Sequence, residues 1–266
     1  MPAVQLQRLT DQTRELLWKF TQPEQFTLEL RELLEYYGNR VYRAGQSVQQ
    51  ERKMVSYRVP NLVMLTLERE LQAPCLENPG AALALADRLW LEKALEPRQL
   101  AAALLGMAPI SEKQTVLARM QAWTAAGEDL SLLLVLVSKG SARLRHEDAN
   151  SWLEVSIQWL ERPETSQQAI GIHALTALLE DRSFTNLPPI YDAIMPLISD
   201  PPQALVLELQ RLLALLLVCS PGETVYVIKQ VLRSKPGVNT RKLVRAVLPR
   251  MAPADQEAVR ALMTAN

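Results

Sequence analysis

The sequence predicts an all-α protein, an α-solenoid of stacked helical hairpins, and three observations carry that prediction. Apolar residues recur at i, i+3 and i+4 in one segment after another, each about 10 to 18 residues long. The segments are separated by tight Pro, Gly, Asp or Ser turns, and no run alternates apolar and polar residues as a strand would. The third observation is residues 202–219, PQALVLELQRLLALLLVC, the most apolar stretch of the chain. A helix apolar on nearly every side has to be covered on nearly every side, so other helices must flank it. Glu208, Gln210 and Arg211 interrupt it, and its clean apolar part, Leu212 to Val218, is far shorter than the roughly 18 residues of a membrane span.

The elements follow in order. Leu9, Leu16, Leu17 and Phe20 put one apolar stripe on a first helix. Thr21 with Glu24 reads as a capping box and Pro23 suits a first turn. Phe26, Leu30, Leu33, Leu34 and Tyr37 then carry a second helix to Gly38, completing a hairpin. Residues 39–59 show little helical periodicity and much positive charge, a connection long enough to be a surface loop or a functional one. Pro60 opens a helix with Leu62, Leu65, Leu67 and Leu71, closed by PCLENPG. Ala82, Leu83, Leu85, Leu89, Leu91 and Leu95 make the next, ending near Glu96, and Pro97 starts its partner, PRQLAAALLGM. Ser111 and Gln114 repeat the capping pattern before Val116, Leu117, Met120 and Trp123. Asp129 caps DLSLLLVLVSKG. Trp152, Val155 and Trp159 line a helix whose partner is ETSQQAIGIHALTALLED. Ile190, Ile194, Leu197 and Ile198 form another, interrupted at Pro196, which hands over to residues 202–219. ETVYVIKQVLRS, NTRKLVRAVLPRM and ADQEAVRALM finish the chain.

About thirteen helices result, pairing at roughly 35 to 45 residues, the period of HEAT or armadillo-like arrays. Residues 1–266 read as one such domain, with a hairpin and basic loop in 1–58 and a repeat core in 59–266. The composition, 48% hydrophobic and 22% charged with 9 Gly, is that of a folded helical chain. Cys75 and Cys219 are expected to be free thiols in a reducing compartment. MPAVQLQRLTDQ lacks a basic segment followed by an apolar one, so the expectation is a cytoplasmic protein with no membrane association. His146 and His173 are the only histidines and share no ligand spacing with the thiols, so neither a metal nor a cofactor is expected. No G-x-S-x-G or phosphate-cradling loop occurs.

The net charge is zero, but it is unevenly placed. Arg40, Arg43, Arg52, Lys53 and Arg58 face only Glu51. Lys139, Arg143 and Arg145 form a smaller cluster. After residue 221, Lys229, Arg233, Lys235, Arg241, Lys242, Arg245, Arg250 and Arg260 face Glu223, Asp255 and Glu257. Such segregation can build one positive face on a neutral protein, which is what holding a phosphate backbone requires. It is equally the pattern of solvated helix faces and dipole partners.

From about residue 59 the order of elements resembles the bacterial DNA-alkylation-repair family of HEAT-like glycosylases, the AlkD group. VPNLVMLTLEREL resembles the opening of that family's repeat core. DRLWLEKALEPRQLAAALLG, with Leu89, Trp90 and Glu92, resembles its LW…E…E-R-AALLL stretch. SIQWLERPETSQQAIGIHAL is similar to its W-x-x-S…R-R-x-A-I segment, and LELQRLLALLLVCSPGETVYVIKQVL to its W-A-L-R-E…P…V…F-L pair. The family grips damaged duplex in a concave positive cleft, with two tryptophans and an aspartate against the lesion. This chain departs at each of those places. Asp129 lacks a tryptophan neighbour and reads as a helix cap, Gln167 and Gln168 replace paired arginines, and Arg211 and Ala214 fall where a tryptophan and an arginine belong.

The resemblance therefore implies a catalytically empty relative with no catalytic residues. It would act as a binding scaffold for double-stranded DNA through a positive concave face, or for a protein partner. The nucleic-acid-binding residues expected are Arg43, Arg52, Lys53, Arg58, Arg143, Arg145, Arg211, Lys229, Arg233, Lys235, Arg241, Lys242 and Arg245. An active glycosylase on alkylated purines and a protein-only scaffold are the competing readings.

Overall fold

A computed structural model describes residues 5–38, 54–125, 127–180, 184–234 and 236–265. Among these there is no strand, and the backbone is helical nearly throughout. The chain divides into two compact units, residues 1–144 and 145–266.

In the first unit the helices are α1 (Leu6–Leu17), α2 (Pro23–Tyr37), α3 (Asn61–Glu77), α4 (Pro79–Trp90), α5 (Leu95–Met107), α6 (Lys113–Ala125) and α7 (Leu130–Gly140). Short α8 (Ala142–Glu147) carries the boundary between units. Helices α1, α3, α5 and α7 lie side by side as one layer, while α2 and α4 pair in a second. The second unit holds α9 (Ala149–Leu160), α10 (Thr165–Glu180), α11 (Pro188–Ser199), α12 (Val206–Cys219), α13 (Pro221–Arg233), α14 (Val238–Val247) and α15 (Pro253–Ala265). It repeats the plan: α10, α12 and α14 form one layer, and α9, α11, α13 and α15 the other. Two-layer stacking of successive helix pairs in both units fits an α-solenoid.

Local chemistry explains most starts and stops. Asn78 accepts from the Ala81 N–H at 3.1 Å and so caps α4, and Asp129 accepts from the Ser131 N–H at 2.9 Å and caps α7, as its sequence position predicts. Proline occupies the first turn of α2, α4, α11 and α13, where its missing N–H costs nothing. The capping box expected at Thr21 and Glu24 does not form; Gln22 holds the cap position of α2 without a side-chain bond.

Three further expectations are corrected. The helix read through Leu91 and Leu95 stops at Trp90, and Leu91 is 74% exposed. Residues 91–94 leave the helix to meet a distant segment: the Leu95 N–H donates to the Val55 carbonyl at 2.8 Å, beside a bridge between Val55 and Ala94. The buried Glu96 carboxylate fixes that return by accepting from the Ser56 hydroxyl and the Tyr57 and Arg58 N–H groups at 2.7, 3.1 and 2.8 Å. A Cβ on Gly38 would sit 2.8 Å from the Tyr57 carbonyl, so the chain at 57 is back against the end of α2. Next, α3 runs on through Pro74 to Glu77, and its core stripe is Val63, Met64, Leu67, Leu71 and Cys75, while Leu62 and Leu65 are exposed. Finally α12 is covered on three sides, by α10, α13 and α14, but leaves Leu207, Arg211 and Val218 open along one side.

Candidate functional site

Residues 224–254 hold seven cations and no carboxylate. Packing sorts those cations. Thr240, Leu243, Val244 and Val247 are the buried face of α14, and the helical repeat therefore sends Val238, Lys242 and Arg245 outward, with Arg241 half-buried beside them. The first turn of α14 is pinned to the end of α11 by the Thr240 hydroxyl on the Ser199 carbonyl (2.8 Å) and the Asn239 amide on the Pro201 carbonyl (3.0 Å). Lys242 and Arg245 thus stand one turn apart on a rigid helix. Arg233 is exposed in the last turn of α13, where it complements the helix dipole. Lys229 is committed elsewhere: its ammonium lies 2.8 Å from Asp255 and ties α13 to α15.

The other expected cations are scattered. Arg211 is exposed on α12 and pairs with Glu208 at 3.2 Å. Arg58 is exposed, at a φ of 55° that the Glu96 bracket enforces. Arg145 is half-buried in the second unit. Arg43, Arg52, Lys53 and Lys235 lie outside the described residues.

Arg143 belongs to a different feature, a groove of about 480 Å³ in the first unit. Its sides are Glu68, Gln72 and Leu76 of α3 and Lys139 and Arg143 of α7 and α8; its floor is Ala103, Gly106 and Met107 of α5. Gly106 is required there, because a Cβ would come within 2.0 Å of the Lys139 carbonyl. Lys139 and Glu68 form an ion pair across the groove. Sequence reasoning missed this groove, since its floor is small residues on a helix that reads only as apolar; the Ala-Gly spacing on α5 is the signal that could have found it.

The residues that carry the family resemblance have structural duties. Trp90 stacks on Trp123 with ring centres 4.3 Å apart and planes 5° from parallel, and the Arg98 guanidinium lies 5.4 Å from the Trp90 ring. Glu92 is buried and receives Arg31 in two hydrogen bonds, 2.8 and 2.7 Å, and Arg88 in one at 2.6 Å. Burial pushes its carboxyl pKa up, but the two guanidiniums outweigh that and hold it below the usual value. Trp152 and Trp159 pack edge to face at 5.6 Å, with the Trp152 indole N–H on the Ala174 carbonyl at 3.2 Å. Gln167 and Gln168 are half-buried in the first turn of α10.

Among the described residues no three His, Cys, Asp or Glu side chains gather as metal ligands, and no helix is long and apolar enough to cross a membrane. Cys75 and Cys219 are both free thiols, the first buried and the second exposed. No protein-family model, curated protein or solved structure matches the chain.

Proposed function

We propose that this chain is a non-catalytic binding scaffold of HEAT-like helical hairpins, of AlkD-like descent, that holds double-stranded DNA by its phosphate backbone. The observation that carries the reading is the exposed pair Lys242 and Arg245 on α14, inside a 31-residue stretch, 224–254, that itself contains no carboxylate. A helix anchored at its first turn presents those charges at fixed spacing, which suits phosphates and carries no base readout. Asp129 supports the absence of catalysis, because its carboxylate is engaged with the amide and hydroxyl of Ser131.

The test is fluorescence anisotropy of a short duplex against the wild type and a Lys242→Glu/Arg245→Glu variant, between about 50 and about 200 mM salt. Loss of both contacts should lower affinity for every sequence alike and reduce the salt slope by about 2. Unchanged affinity would remove DNA from the reading. A protein partner is the second reading, favoured by the groove floored with Ala103, Gly106 and Met107 and by the outward Leu62, Leu65 and Leu76 of α3. Release of free 3-methyladenine from methylated DNA above a protein-free blank would overturn the non-catalytic assignment.

A further inference from the structure

The second unit carries a cleft between α11 and α13 whose lining, among the described residues, includes none of the expected cations. It is an open depression of about 350 Å³, lined by Pro188, Tyr191 and Asp192 on one side and Gly222, Glu223 and Tyr226 on the other. We propose that this cleft binds a cationic side chain, the guanidinium or ammonium of an arginine or lysine in a peptide segment of a partner protein.

Three features converge on that chemistry. The first is charge. Both helices begin at the cleft, and their amino-terminal dipoles would favour an anion by about half a unit charge each. Asp192 and Glu223 supply a full negative charge each, so the cleft is net negative in spite of the dipoles. Among the described residues neither carboxylate is in an ion pair; Glu223 accepts only from the Ser220 hydroxyl at 3.1 Å, and Asp192 is an exposed residue of the cleft wall. The second is aromatic surface. Tyr226 is 64% exposed, so its ring is open to solvent at the rim of the cleft. Tyr191 is buried and its hydroxyl is tied to the Thr224 hydroxyl at 2.8 Å, so that ring is fixed in the wall. Ring faces beside carboxylates are the usual surroundings of a bound ammonium or guanidinium. The third is space. Gly222 lies one turn before Tyr226, and a Cβ there would meet nothing within 4 Å. Neither backbone nor packing demands glycine at this position, and its absent side chain leaves the α13 wall hollow.

The probes are acetylated, amidated Gly-Arg-Gly and Gly-Lys-Gly, with citrulline and acetyl-lysine versions as neutral matches and guanidinium ion as the bare cation. Binding is followed by the NMR shifts of the Gly222 amide and the Tyr226 ring in the full chain. The cationic peptides should bind about tenfold more tightly than their neutral matches. Gly222→Leu, which fills the hollow and keeps every charge, and Asp192→Asn/Glu223→Gln, which keeps the shape, should each abolish that preference. All three positions are exposed, and circular dichroism checks that helix content is retained. Equal binding of arginine and citrulline peptides, or unaltered binding by both variants, overturns the proposal. Guanidinium ion binding as tightly as the arginine peptide overturns the peptide assignment. The Lys242→Glu/Arg245→Glu variant should bind the peptides as the wild type does, so failure on DNA and failure here are separate results.

Discussion

Glu92→Gln is the sharpest probe of how the first unit is held together. The side chain is buried between Arg31 of α2 and Arg88 of α4 and receives three charge-assisted hydrogen bonds from them. The amide keeps the shape but loses the charge, and one of its two terminal atoms becomes a donor facing a guanidinium. Breaking a fully buried ion pair costs about 3 to 5 kcal/mol. The arginine side chains here are 39% and 21% exposed, so water recovers part of that. Arg88 also keeps Glu24, 2.7 Å away. A net loss of about 2 to 3 kcal/mol follows, which for a chain of this size lowers Tm by about 4 to 12 °C. Differential scanning calorimetry reads it, with Glu24→Gln as the exposed control expected to cost under about 0.5 kcal/mol. A Glu92→Gln Tm within about 1 °C of wild type would refute the hub. The same pair of proteins yields a pH test. Because the folded carboxyl is held below its unfolded value, its stabilisation is complete above an unfolded pKa of about 4.3 and is lost as pH falls toward the folded value. The gap in Tm between wild type and Glu92→Gln should therefore be constant from neutral pH to about 5 and close below about 4.3.

Burial pushes the Cys75 thiol up to about 12, whereas Cys219 is exposed, so a thiol reagent at mildly alkaline pH should label one cysteine in the native chain and both after denaturation; mass spectrometry of the labelled peptides identifies which. Gly106→Ala would drive a methyl into the Lys139 carbonyl and prise α5 from α7, costing about 1 to 3 kcal/mol by urea unfolding. Trp152→Phe removes the indole donor from the Ala174 carbonyl and leaves unfilled volume at a fully buried site, a loss of about 2 to 3 kcal/mol by the same assay.

Helix existence was legible in the sequence because each helix carries its own periodicity and its own stop. What escaped was set by residues far apart in the chain. Leu62 and Leu65 look like core because α3 is apolar on two faces, and only the positions of α1 and α5 decide that Val63, Met64, Leu67 and Leu71 go inside. The early end of α4 depends on Val55, forty residues away from Leu95. The candidate site shows the same division. Lys242 and Arg245 could be found by counting charges and turns along α14. That Lys229 is spent on Asp255 could not, because the pairing is made by the α13 and α15 contact and not by local spacing. The cleft at Tyr191 and Tyr226 was invisible for a similar reason, since its two walls lie 30 or more residues apart and neither alone spells a motif.

The close approach of Gly38 to Tyr57, locked by the Glu96 carboxylate, gives residues 39–53 two feet planted at one spot. Closing a longer span between such feet costs only about 0.6 kcal/mol per doubling of its length. A change in the number of residues between Gly38 and Tyr57 should therefore cost little so long as those two ends and Glu96 are kept, and an engineer could place a reporter or an affinity tag between them on the same terms.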